Sequence, residues 1–215
     1  MNFNNLLNQV LGSVQKSGGS MGKHTDLLGK IGGGAAVAGL ASMFLKSKNT
    51  KKLVTAGSVA ALGALAYHAY QSWQRSNAGG SGNGGAQAPV LDQAAFEPRG
   101  PAAENAGRII LRTMIAAAAA DGLIEEEERR LIQAESANDP ETARWIENEI
   151  QRPAQPADIA RDIGNNPALA AEAYLAARLA CGDLARKEIV FLSQLSQALN
   201  LDDKLVESLE RQAGF

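Results

Sequence analysis

Apolar residues recur at helical spacing along much of this chain. Leu6, Leu7, Val10, Leu11 and Val14 mark one face of a short amphipathic helix over 5–14. Two apolar blocks follow, fifteen residues from Ile31 to Leu45 and eighteen from Leu53 to Tyr70, separated by Lys46-Ser47-Lys48-Asn49-Thr50-Lys51-Lys52. From residue 102 onward no strand-like alternation occurs, and the pattern predicts helices over 102–120, 125–137, 140–150, 158–163, 167–181, 185–199 and 202–212. Ile109, Ile110, Met114 and Ile115 would face inward from the first of these, and Trp145 and Ile146 from the third. The punctuation agrees: Asp139-Pro140 and Asn166-Pro167 pair an N-cap with a proline at the first helical position, and Pro153 and Pro156 interrupt the chain. The predicted fold is all-α: a C-terminal bundle of about seven helices, preceded by a Gly/Ala-rich apolar helical anchor.

The anchor expectation rests on block length. A bilayer core takes about twenty apolar residues, with a lower limit near seventeen. The second block meets that limit and the first falls short. Leu53, Val54, Val59, Leu62 and Leu65 would face lipid, and Tyr67, Tyr70 and Trp73 would form an aromatic belt at one interface. Small residues at four-residue spacing (Ala35 and Gly39; Ala56, Ala60 and Ala64, with Gly57 and Ala61 beside them) allow close helix approach and self-association. The same composition suits a soluble Ala/Gly hairpin. Four lysines before the second block, against Arg75 alone closely after it, would keep the lysines cytoplasmic and put the C-terminal domain on the far side. No secretory signal is expected, since the first thirty residues lack a long apolar core.

The organisation read from these patterns is a membrane-associated region over 1–78, a linker over 79–101 and a helical domain over 102–215. The linker stretch is rich in Gly and Pro and cannot bury a core of its own, although Val90-Leu91 and Phe96 could dock on the next domain.

Charge divides the chain unevenly. Residues 1–100 hold nine Lys/Arg and three acids, whereas 101–215 hold twelve Lys/Arg and twenty acids. An acidic helical domain is a poor partner for nucleic acid, and a basic apolar N-terminal region suits an anionic lipid surface. The domain has no histidine, so neither a Ser-His-Asp nor a Cys-His arrangement can be assembled in it. Cys181, the single cysteine, lies in an apolar run and reads as a buried thiol; zinc would lack ligands. Gly32–Gly34 lacks the Lys-Ser/Thr pair of a phosphate loop. An enzyme is therefore not expected.

Two stretches sixty residues apart read as variants of one unit. Ala120-Asp121-Gly122-Leu123-Ile124 leads to Glu128, Leu131 and Ile132, and Ala180-Cys181-Gly182-Asp183-Leu184 leads to Glu188, Phe191 and Leu192. The pair predicts helical hairpins about a pseudo-twofold. Two readings of the first turn stand. Asp121 caps the following helix while the glutamates answer its dipole, or Asp121, Glu125 and Glu128 face together and bind a hard divalent cation.

The Ala-rich helix ending in Asp121-Gly122, followed by Ile124 and Glu128, resembles the TerB-like (tellurite-resistance) helical domain. The plan of the whole chain is similar to the YebE-type inner-membrane protein family, part of a group of unknown function. The resemblance implies an α-helical domain, a membrane location and no established catalysis. It also implies a divalent-cation site on acidic residues: Asp121 and Glu128 in the first half and Glu188 in the second, where Cys181 stands in the place of Asp121. The expected function is a non-enzymatic, membrane-anchored interaction module of the bacterial envelope, in the inner membrane with its domain periplasmic. Its partners would be the lipid bilayer and a further protein. The alternative is a protein responsive to a divalent cation.

Overall fold

The computed structural model describes residues 2–17, 40, 58–78, 89–120, 140–181 and 184–215. Among them lie eight α-helices: α1 (Phe3–Ser17), α2 (Val59–Ala78), α3 (Pro101–Ala118), α4 (Pro140–Gln151), α5 (Pro156–Ile163), α6 (Pro167–Ala180), α7 (Arg186–Ala198) and α8 (Asp203–Gln212). A single 3-10 turn, Gln93–Phe96, precedes α3, and no strand occurs among the described residues. Prolines open α3, α4, α5 and α6, where a missing N–H costs nothing because the first turn has no intrahelical acceptor for it. Asn166 caps α6 by accepting from the Leu169 N–H, and Asp202 caps α8 by accepting from Lys204 and Leu205. Asn200, with φ 51°, ends α7 in the left-handed conformation that Asn tolerates.

The bundle is built around α6. Every residue from Ala168 to Ala180 is buried, because alanine and leucine dominate all its faces and α2, α3, α5, α7, α8 and the 3-10 turn pack around it. Its polar exceptions are Glu172, Tyr174 and Arg178. The longest contact is with α3, whose Ile109, Ile110, Met114 and Ile115 are all buried, as the apolar spacing predicts. Helix α1 lies along α3. There the Glu104 carboxylate accepts the Phe3 N–H at 2.7 Å, supplying the acceptor that the first turn of α1 lacks. Gly107 makes the approach possible, since a Cβ there would stand 3.0 Å from the Asn4 backbone.

Helix α2 departs from the anchor expectation. Leu62, Ala66, Ala69, Tyr70 and Trp73 belong to the same contiguous core as Leu6, Leu175 and Leu209. Helices α1 and α2 and the 3-10 turn all pack into one core with the helices after residue 100. The polar tips that suggested an interfacial belt find partners in the protein: Tyr70 Oη donates to the Pro89 carbonyl and Trp73 Nε1 to Asp202. Tyr67 and Tyr70 pack on Phe96, which is 1% exposed, so the docking of the linker is made by Phe96 with Leu91 half-buried, while Val90 is 91% exposed. Val59 and Leu65 are half-buried against the core, and Leu53 and Val54 lie outside the described residues. The buried face runs through Leu62, Gly63, Ala66 and Ala69, not through Ala60 and Ala64. No helix of the described residues is long and apolar enough to cross a membrane.

Candidate functional site

A cleft of about 550 Å³ opens where three elements meet. The end of α3 contributes Ala116, Ala119 and Ala120; the α4–α5 connection contributes Pro153, Ala154 and Gln155. The first turns of α7 contribute Arg186, Lys187, Val190, Phe191 and Gln194. The space follows from side-chain size, since three alanines at the end of α3 present only methyl groups. Pro153 and Pro156 hold the connection extended, with Gln155 at φ −79°, ψ 153°, so that it stands as a wall. Ala116, Ala154 and Phe191 are buried and form the floor. Arg186, Lys187 and half-exposed Val190 form the rim, with the Gln155 and Gln194 amides beside them. Among the described lining residues there is no acid, histidine, serine or cysteine. The set offers apolar contact, positive charge and amide hydrogen bonds.

The residues singled out for a cation are not brought together within the described structure. Asp121, Glu125 and Glu128, with the first of the two repeated turns, lie outside the described residues. Glu188 is buried at the third position of α7, and its Oε2 accepts the Ala185 N–H at 2.7 Å. That is a capping role at a helix N-terminus. No group of three or more His, Cys, Asp or Glu that could hold a metal occurs among the described residues. Cys181 is buried and not in a disulfide.

The cleft has a signal in the sequence. Ile189, Val190 and Phe191 are consecutive on a helix and cannot share one face. Phe191 turns inward, leaving Ile189 and Val190 about half exposed directly after Arg186-Lys187-Glu188.

A second polar feature lies on α6. Tyr174 Oη donates to Glu210 Oε1 at 2.9 Å, and Arg178 Nε stands 3.4 Å from the same oxygen. The Arg178 guanidinium stacks 3.5 Å over the Phe215 ring. This arrangement fastens α8 to the central helix. Burial, reinforced by the neighbouring Glu210 charge, raises the Tyr174 phenol above its ordinary range. Two residues before Tyr174, Glu172 is 2% exposed, and burial pushes its carboxyl up to about 8.

No curated protein and no solved structure matches the chain. A family described as protein of unknown function (DUF533) matches residues 30–213, which is most of the chain, and the chain belongs to that family.

Proposed function

We propose that this protein is a non-enzymatic helical interaction module whose α3–α7 cleft takes an acidic peptide segment of a partner protein. The observation that carries this reading is the cleft itself, an apolar floor flanked by Arg186 and Lys187 with no carboxylate among its described lining. An apolar side chain of the partner would displace water from Phe191 and the alanines. Neighbouring carboxylates would meet the Arg186 guanidinium on a positive rim, which steers association and favours an acidic ligand over a basic one. The likeness to the TerB-like domain supports a helical module without chemistry of its own.

The test is fluorescence anisotropy of the full chain with a labelled peptide of alternating Glu and Leu, beside a Lys/Leu peptide of equal length. The acidic peptide is expected to bind and the basic one not, and the paired substitution Arg186→Glu, Lys187→Glu should weaken binding by roughly tenfold or more, as loss of two charge contacts implies. Equal binding of the two peptides, or binding indifferent to the charge reversal, would overturn the reading.

A location at the bacterial inner membrane rests on residues 31–57, where an apolar Gly/Ala block is followed by Lys46, Lys48, Lys51 and Lys52. The likeness to the YebE-type inner-membrane proteins supports it. Retention of the full chain in membranes through carbonate washing is the expected result; release into the supernatant would remove it.

A further inference from the structure

Glu172 takes no part in the cleft, yet it stands at the middle of the central helix. It is 2% exposed, and its Oε1 has no hydrogen-bond partner. A bare carboxylate there would lose water at Oε1 with no hydrogen bond to offset the loss. Facing it is Gly63 of α2, and against the same glycine lies the backbone of the 3-10 turn. A Cβ on residue 63 would stand 2.3 Å from the Phe96 carbonyl oxygen and 3.0 Å from Glu172 Oε1, so two oxygens converge on one glycine. Of the two oxygens packed against this glycine only the carboxyl can become a donor, by holding a proton, and in that form it also carries no charge.

No nearby charge among the described residues complicates this. Helix α2 carries Tyr67, His68, Tyr70 and Arg75, and the turn is flanked by Asp92 and Glu97. Helix α3 brings Glu104, Arg108 and Arg112, of which Arg112 is paired with Glu149 and Asp162. Helix α5 brings Asp158 and Arg161, which pair with each other. Helix α7 brings Arg186, Lys187 and Glu188, the last engaged at its own N-terminus. Helix α8 brings Asp203, Lys204, Glu207, Arg211 and Glu210, the last held by Tyr174, and its cap Asp202 is held by Trp73. None of these acts on Glu172, whose raised titration has burial as its sole cause.

We propose that Glu172, Gly63 and the Phe96 carbonyl form a proton-operated clasp between α6, α2 and the 3-10 turn. With the carboxyl neutral the turn sits closed on the bundle. Ionisation places a negative charge beside the carbonyl dipole and drives the turn outward, loosening the Phe96 contacts with Tyr67 and Tyr70. Mild alkalinity is thus the signal and the segment around Phe96 is the moving part. The clasp stands independently of what the cleft binds.

The test is limited trypsin cleavage of the full chain at Arg99, exposed just beyond the turn, followed as pH rises through about 8. Rates are normalised to an unstructured peptide carrying the same site, and Glu172→Gln is run in parallel as a neutral carboxyl of the same shape. Cleavage of the wild type is expected to accelerate several-fold relative to Glu172→Gln across this range. Gly63→Ala, which forces the Phe96 carbonyl away, should be cleaved fast at every pH. Carbon-13 NMR of the glutamate carboxyls reads the Glu172 titration directly and does not depend on cleavage. Parallel pH profiles for wild type and Glu172→Gln, slow cleavage of a folded Gly63→Ala protein, or a Glu172 carboxyl titrating near its ordinary 4.5 would each overturn the proposal.

Discussion

Trp73 Nε1 donates to Asp202 Oδ1 at 2.9 Å, across 129 residues of sequence. The same oxygen accepts the Lys204 N–H at 2.9 Å and the Leu205 N–H at 3.3 Å. One carboxylate oxygen therefore begins α8 and ties it to α2. Ser208 strengthens the seam by donating to the Ala69 carbonyl at 2.9 Å. Removing the indole donor with Trp73→Phe should cost about 1 kcal/mol beyond the packing change. Asp202→Ala should cost about 1–2 kcal/mol through the lost cap. The double variant should cost less than the sum, because both changes break one shared bond, as measured by urea denaturation.

Leu62 is 1% exposed and packs in the common core. Leu62→Ala should destabilise the protein by about 2–5 kcal/mol in detergent-free buffer, since it leaves a cavity in a close-packed interior. A lipid-facing leucine would leave that measurement unchanged.

The contrast between α2 and the later helices shows what was legible. The boundaries of α3 through α8 fall within a few residues of expectation, because prolines and Asx caps act locally and announce helix starts wherever the chain goes. The 158–163 helix begins two residues early, at Pro156, since proline suits the first turn. The role of α2 was not legible. Small residues permit close approach in lipid and in protein cores alike, and Tyr or Trp at a helix end needs a polar partner in either setting. Only the tertiary positions of Pro89 and Asp202 distinguish the two. The cleft was legible only in part, through Ile189 and Val190 beside Phe191, since it exists where the Pro153–Gln155 connection meets α7. Glu172, one carboxyl in an alanine-rich run, carries no local sign of its burial, which depends on α2 being placed over it.

Glu104→Ala should leave the Phe3 and Asn4 N–H groups without their acceptor, at a cost of about 1 kcal/mol. The loss should be local, with hydrogen exchange accelerating in α1 while α6 remains protected.

Glu188→Ala should lower stability by about 1 kcal/mol through the lost acceptor for the Ala185 N–H. Calorimetric titration with calcium, magnesium and zinc should give the same heats for this variant and the wild type. A metal response that disappears with Glu188 would return this residue to a ligand set.

Stability should fall as pH rises, with a sign set by Glu172. Its carboxyl titrates near 8 when folded against 4.5 ordinarily, so the unfolded chain gives up the proton first. The neutral form's advantage is complete below about 4.5, shrinks across the window and is gone above about 8. The slope inside the window is on the order of 1.4 kcal/mol per pH unit as an upper bound. Denaturation midpoints of the wild type should trace this decline, and Glu172→Gln should lack it.

Tyr70 and Gln74 both donate to the Pro89 carbonyl, so the end of α2 and the start of the segment leading into α3 are held side by side. Residues 79–88 therefore join two ends that are already pinned together. Lengthening a connection between fixed ends changes its closure entropy by only about 0.6 kcal/mol per doubling. A fluorescent reporter or an epitope could therefore be spliced between residues 79 and 88 with little penalty, providing a handle on this protein in living cells that leaves the bundle and its cleft intact.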